Sequence, residues 1–454
     1  GCMAFGECLE HGGWYYYDEK TGAQCRGPVV LPDGRQVFYS LTNGKMLYGK
    51  QTICGTSFTF NTVNGSRSSG PDGLFWLEWG GKRYWFESWK RQGYNPYDSS
   101  YRGKEIYDPA SDAWYWLDNI QNGAMAASKD VYQESNGGKW VRYDENGHMV
   151  KGWDVNENGT YYFDQITGAM AKGALLLDDV QYGFDPIMGT MLDCQWLHTE
   201  VGDYWYEGGI RQGTEGRGKE IYDSGSNAWY WLDANQGGAK AVNKDVYQES
   251  NGGKWVRYDA NGHMVKGEDC QNGKWYYFEP VTGAMIKGPW TLPDGRKVYY
   301  DLTTGIMQYG NVSINGSLYY FDPVYGTMKS GALTNFWVTD GNGKSFWYES
   351  WVRQGWQPGS SNYRGKEIYD PASGAWYWLD NVQQGAKATS KEVYQDSNGG
   401  KWVRYDANGH MIKGWYTQDG KTWYYDLTTG AMYKGWHTIE GSTYHFDETT
   451  GVKG

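Results

Sequence analysis

Apolar and polar positions along this chain alternate in short bursts. Trp275-Tyr276-Tyr277-Phe278-Glu279 is followed by Thr282-Gly283-Ala284-Met285 and then Gly288. The phrase returns as Thr160-Tyr161-Tyr162-Phe163-Asp164 with Thr167-Gly168-Ala169-Met170 and Gly173, and as Trp423-Tyr424-Tyr425-Asp426 with Thr429-Gly430-Ala431-Met432 and Gly435. Residues in such a burst face two sides alternately and have high β propensity, which predicts a short strand. Thr-Gly or Asn-Gly supplies the positive φ of a hairpin turn. The small residue and Met open the return strand, and the last Gly is the corner to the next unit. One unit is thus a β-hairpin of about 20 residues. A lone hairpin is marginal in water, so each must stack on its neighbours. The prediction is an all-β, elongated hairpin solenoid with a thin aromatic core.

About nineteen such cores run from near Trp14 to near Thr443. Most steps are close to 20 residues, but Trp114 to Trp140, Trp229 to Trp255 and Trp376 to Trp402 are each 26. Those long steps carry near-identical text, from Trp-Tyr-Trp-Leu-Asp through Trp-Val-Arg-Tyr-Asp. The Arg-Gln-Gly segments at Arg91, Arg211 and Arg353 also break the rhythm, and longer loops or bends are expected there. Leu31-Pro32-Asp33-Gly34-Arg35 reappears as Leu292-Pro293-Asp294-Gly295-Arg296. The chain therefore divides into residues 1–152, a shorter block 153–261, the first block again at 262–414, and terminal short repeats at 415–454. It begins in mid-repeat and is read as a piece of something longer. Function in such a chain is expected on a surface shown many times.

Composition narrows the partners. Aromatic residues make up 18% and glycines number 66, which suits a solenoid whose Trp and Tyr are half core and half surface. A net charge of −11 argues against nucleic acid and against anionic membrane surfaces. No apolar run is long enough to insert in a membrane. The six cysteines (Cys2, Cys8, Cys25, Cys54, Cys194, Cys270) fall where sister repeats carry other residues, so they are incidental to the repeat. Four lie in the first 54 residues, and either disulfides or free thiols fit that spacing. No cofactor is implied. Asp154-x-Asn156-x-Asn158-Gly159 starts like a calcium loop, but Gln165 stands where the closing Glu belongs, and a hairpin turn explains it better, so no metal site is expected. His148, His263 and His410 are one turn position repeated. Carboxylates recur with the period and no nucleophile motif occurs, so an enzyme is not expected.

The Gly-Trp, Trp-Tyr-Tyr-Phe and Gly-x-Met-x-x-Gly-Trp pattern is readable at Gly152-Trp153 to Phe163 and Gly168-Ala169-Met170. It is clearest at Gly414-Trp415, Trp423-Tyr424-Tyr425, Met432 and Gly435-Trp436. In these features the chain resembles the cell-wall-binding repeat superfamily. That superfamily includes the choline-binding repeats of streptococcal surface proteins, the glucan-binding repeats of glucansucrases and the C-terminal repeats of large clostridial toxins. The resemblance spans essentially the whole chain. It implies a β-solenoid and non-catalytic binding by a secreted or cell-surface protein of a Gram-positive bacterium. In choline binders the Gly-Trp indole helps form a three-aromatic cage. Here Ala174, Glu268 and Asn311 stand in its place, so complete cages should be few.

A glycan reader needs flat aromatic faces flanked by polar groups, and a quaternary-ammonium reader needs a cage. The candidates are Trp153 with Tyr161 and Tyr162, Trp415 with Trp423, and Trp436 with Tyr444. The same-face pairs Trp114/Trp116, Trp229/Trp231 and Trp376/Trp378 join them. Any one of these is as readily a stacking core residue. Arg91, Arg211 and Arg353 either grip sugar hydroxyls or fix a repeat corner, and Glu105, Glu220 and Glu367 carry the same ambiguity. The expected function is a multivalent array recognising a carbohydrate or cell-wall polymer, whether glucan or choline-bearing. The alternatives are an adhesin or toxin-like array for a host glycan or a host protein such as an immunoglobulin, and a ligand-free spacer.

Overall fold

The computed structural model describes residues 4–134, 137–249 and 252–454. The chain falls into two compact units, Gly1–Thr199 with Trp205–Arg211, and Glu200–Tyr204 with Gln212–Gly454. Both are built almost wholly of antiparallel hairpins.

One hairpin shows how the sequence makes the unit. Gly152–Asn156 pairs with Gly159–Phe163, placing Trp153 opposite Tyr162 and Asp154 opposite Tyr161. The side-chain period of two sends Tyr161 and Phe163 inward, where both are buried, and leaves Trp153 half-exposed. After the strand, the Asp164 carboxylate accepts hydrogen bonds from the Ile166 and Thr167 amides and the Thr167 hydroxyl. Those bonds, from Thr167 first, hold Asp164 below its ordinary carboxylate range, as equivalent bonds do for Asp426 and Asp447. A depressed folded pKa contributes stability above the unfolded value, which is lost as pH falls through the folded one. The urea midpoint is therefore expected to stay flat from about pH 7 to about pH 5 and to drop below about pH 4. A midpoint that falls already near pH 6 would point away from the turn aspartates.

Stacking is a backbone bond. The Met170 amide donates to the Trp140 carbonyl at 2.8 Å, Met191 to Thr160, Met285 to Trp255, and Met432 to Trp402. Each methionine thus ties its own hairpin to the one before, and its side chain reaches the turn of the one after. Gly283 has φ +67, and a Cβ added there would lie 2.3 Å from the Met264 sulfur. Gly273 has φ +73 with open space around it. Gly273→Ala is expected to cost about 1–2 kcal/mol for the left-handed backbone alone. Gly283→Ala should cost measurably more in the same denaturation series, and equal losses would refute the methionine contact as a determinant.

The side chains between hairpins follow two recipes. Where Gly-Trp is present, the indole crosses to the next unit: Trp153 packs edge-on against Tyr162 of its own hairpin and Tyr182 of the next, both at 5.1 Å. The Trp-Val-Arg-Tyr-Asp units use a guanidinium instead. Arg142 is held by Asp130 at 2.7 and 2.9 Å and by Asp154 at 2.8 Å, and lies 4.1 Å over Tyr161 of the next hairpin. Arg257 repeats this with Asp245, Asp269 and Tyr276. Hydrogen bonding to Asp130 and Asp154 outweighs burial and keeps Arg142 above its usual value, so this cation is permanent.

The 26-residue steps build wider sheets. In the first unit, Gly103–Asp108, Ala113–Asp118, Ala124–Met125, Lys82–Glu87 and Lys90–Arg91 follow one another, with Leu74–Trp79 also on Lys82–Glu87. The second unit repeats the arrangement around Ser345–Glu349 and Ala375–Asp380. The extra residues form a 3-10 turn, Asn119–Gln121, capped by the buried Asp118 side chain and closed by Asn122 at φ 60. Trp89 and Trp351 sit fully buried beneath these sheets, their indole N–H groups donating to the Val37 and Val298 carbonyls at 3.1 Å. Cys8, Cys25, Cys54, Cys194 and Cys270 are free thiols, so among the described residues the disulfide alternative is not realised, and Cys2 lies outside them.

Candidate ligand-binding surfaces

Six cross-strand pairs repeat one geometry. Tyr107/Trp114, Tyr132/Trp140, Tyr222/Trp229, Tyr247/Trp255, Tyr369/Trp376 and Tyr394/Trp402 have ring centroids 5.2–5.4 Å apart and planes inclined by 46–52°. Each Tyr stands directly opposite its Trp in the register. The indoles are all 38–40% exposed. Each pair is a half-open aromatic platform on the outer face of its hairpin.

The expected Trp114/Trp116, Trp229/Trp231 and Trp376/Trp378 pairs share a face, as strand alternation requires, but only the first member of each is accessible. Trp116 is buried among Ala126, Val131, Val141 and Tyr143, and Trp231 and Trp378 are buried likewise, because the following hairpin covers that end of the strand. The accessible partner of each outer Trp is the Tyr across the strand. The sequence reading missed those tyrosines, together with Trp140, Trp255 and Trp402. Spacing held the signal: every one of these Trp residues follows its Tyr by seven or eight positions across a turn.

The Gly-Trp positions give two clusters. Trp153 meets Tyr162 and Tyr182, while Tyr161 points the other way and is buried under Arg142. Trp415 meets Tyr424 at 4.9 Å and Tyr444 at 5.0 Å. It does not meet Trp423, which pairs with Tyr416 on the opposite face. Trp423 donates its indole N–H to the Thr450 carbonyl and lines a cleft of about 400 Å³ with Trp402, Met432 and Lys434. Trp436 and Tyr444 are likewise separated: Trp436 lies against His445 and is 72% exposed, the most open tryptophan among the described residues.

Arg353 donates to the Tyr348 hydroxyl at 2.9 Å and the Lys287 carbonyl at 3.0 Å, and Arg211 donates to the Tyr206 hydroxyl. Arg91 lies 4.2 Å over Tyr94, and burial pulls its pKa down. These bonds and stacks fix corners of the wider sheets. Glu105, Glu220 and Glu367 accept from the buried Gln133, Gln248 and Gln395 and from the Tyr143, Tyr258 and Tyr405 hydroxyls, a structural network in all three blocks. Asp154 is engaged with Arg142, and the Asn156 side chain accepts from the Asn158 amide, so the calcium-like stretch is a hairpin turn.

The model of the choline-binding repeat matches residues 134–175, 249–290 and 395–435, the three stretches where an Arg-bearing hairpin hands over to the next. Those three stretches of the chain are choline-binding repeats by sequence. Among curated relatives, Glucosyltransferase-I of Streptococcus downei is 26% identical over 299 residues, 63% of this chain and 17% of that protein. Glucosyltransferase-S of Streptococcus mutans is 25% identical over 201 residues, 40% of this chain and 13% of that protein. The chain thus spans less than a fifth of the length of these relatives. Among solved structures, choline binding protein F from Streptococcus pneumoniae is 20% identical, covering 72% of this chain and 98% of its own at a TM-score of 0.30. The modular autolysin LytC of the same species is 20% identical, covering 57% and 53%, at 0.35.

Proposed function

We propose that this chain is a secreted or cell-surface binding array that holds its bearer on a carbohydrate or cell-wall polymer, without catalysing a reaction. The observation that carries this is the sixfold recurrence of one half-exposed Tyr–Trp platform. An indole face suits the C–H side of a pyranose, and the neighbouring phenol supplies a hydroxyl for orientation. Each platform is shallow and weak alone, and a polymer engages several at once. The choline-binding and glucosyltransferase relatives support the same polymer class.

Between choline-bearing and neutral polymers, the chain's own cations favour the neutral one. The Lys453 ammonium already lies 4.6 Å over Tyr444 and 5.3 Å over Trp415, and that of Lys172 lies 5.5 Å over Trp140. A quaternary ammonium entering those faces must displace a like charge. A sugar hydroxyl can instead accept from it. The test is retention on insoluble α-glucan and on purified cell wall, followed by elution. Elution by oligosaccharide but not by choline is the expected result. Elution by choline alone, or no retention on either polymer, would overturn the reading, and capture of a host protein instead would move it to an adhesin.

A further inference from the structure

One cleft in the second unit sets a platform tryptophan beside a second indole from a long loop. It measures about 410 Å³ and lies where a long loop, residues 356–361, folds back on the hairpin stack that carries Trp229, Lys254 and Met264. Trp229 and Trp356 both line it, with Glu220, Gln357, Ser360, Ser361, Asn381 and Gln384 among its polar groups. Two indoles with amides and hydroxyls are the furniture of a saccharide pocket, and the volume falls within the usual small-ligand range.

The loop is held in place. The Asn381 side chain accepts from the Gln357 amide at 2.7 Å and donates to the Tyr363 carbonyl at 2.8 Å. Gly359 fits against Val281 so closely that a Cβ would come within 2.8 Å of it. The wall is thus pre-formed, which lowers the entropy lost on binding. The charges inside are already balanced: Glu220 accepts from Gln248 at 2.6 Å and from the Tyr258 hydroxyl at 3.1 Å, and Lys254 donates to the Thr282 carbonyl. That favours a ligand without net charge.

Gln384 marks the cleft as more than packing. It has φ 58, a left-handed backbone that glutamine adopts at a cost, where the sister blocks carry Asn122 and Gly237. Its side-chain nitrogen is buried with no hydrogen-bond partner. That donor lies just beneath the cleft wall, and a change of the Gln384 side-chain rotamer would offer it to an acceptor in the cleft.

We propose that this cleft is a discrete binding site for a short neutral oligosaccharide, seated between Trp229 and Trp356 and accepting from the Gln384 amide. The proposal rests on the carbohydrate reading above and adds one discrete cleft to the array of platforms. Titration calorimetry of the whole chain with isomaltotriose and with triacetylchitotriose tests it. At least one trisaccharide is expected to give a single saturable event of one-to-one stoichiometry. Ser361→Trp, a bulky change at an exposed lining residue, should weaken that event at least tenfold. Gln384→Gly, which installs the residue of the second block without backbone strain, should weaken it severalfold with no loss of thermal stability. Ile166→Ala, at an exposed turn residue of the first unit that belongs to neither the cleft nor a platform, should leave it unchanged. Unaltered binding by Ser361→Trp, or the absence of any one-to-one event, would overturn the proposal. Retention on insoluble polymer reports separately on the array: if it persists in Ser361→Trp and in wild type while the trisaccharides fail, only the cleft falls, and if wild type is not retained, the array reading itself fails.

Discussion

Trp351→Ala is expected to destabilise the second unit by about 3–5 kcal/mol, the range for deleting a buried large aromatic. Trp351 is fully buried and touches Tyr319, Phe321 and Phe336 at centroid distances of 5.3, 6.3 and 5.8 Å, so it joins one hairpin to the wider sheet beside it. Deletion also strips the Val298 carbonyl of its indole donor in a buried setting. Backbone conformation adds a sharper prediction. At φ +75 any L residue is strained, so Trp351→Gly should be no worse than Trp351→Ala despite being smaller. Urea denaturation of both, with Trp436→Ala as an exposed control, checks this. A Trp351→Ala loss within about 1 kcal/mol of the control would mean that the hairpin stack carries the unit without this anchor.

The hairpin fold was legible because strand period, turn glycine and methionine recur together, and each has one physical job. The register was less so. Aligning copies by their first aromatic put Trp423 beside Trp275, yet Trp275 precedes its turn glycine, Gly283, by eight residues and Trp423 precedes Gly430 by seven. In the structure Thr422 holds the position of Thr160, and Trp423 that of Tyr161. A one-residue slip changes the face of every side chain in a strand. That slip sets Trp423 on the wrong face beside Trp415, and Trp153/Tyr161 and Trp436/Tyr444 are apart because the residue opposite each Trp lies nine positions on, at Tyr162 and His445. Counting back from the turn glycine, which the stacked methionine pins, would have set the face correctly.

What the sequence hid were partnerships across hairpins. The Trp-Val-Arg-Tyr-Asp variant maps onto no Gly-Trp pattern, because its Arg takes over the role of the indole and finds one of its carboxylates, Asp154 or Asp269, in the next unit. Nor does local text show that loop 356–361 closes over Trp229, since the contact joins residues more than a hundred positions apart. Period finds what repeats, and this cleft is where the repeat is broken.

Replacing Trp140, Trp255 and Trp402 together by Ala should lower retention on the polymer by about a hundredfold or more, while each single replacement lowers it only severalfold. The three lie at one register position in the three choline-binding-repeat segments, each 38–40% exposed beside its tyrosine. Their structural duty is carried by the backbone: the Trp140, Trp255 and Trp402 carbonyls receive the Met170, Met285 and Met432 amides, bonds that alanine keeps. Melting temperature should therefore shift little, which separates lost binding from lost folding. The disproportion between single and triple variants is the signature of avidity, because each platform multiplies the residence of the others on one polymer chain. Trp114, Trp229 and Trp376 remain in the triple variant, so binding should weaken steeply without vanishing. A triple variant retained like wild type, and eluted by the same sugar concentration, would assign the polymer to another face. A single variant that abolished retention outright would replace the array with one dominant site.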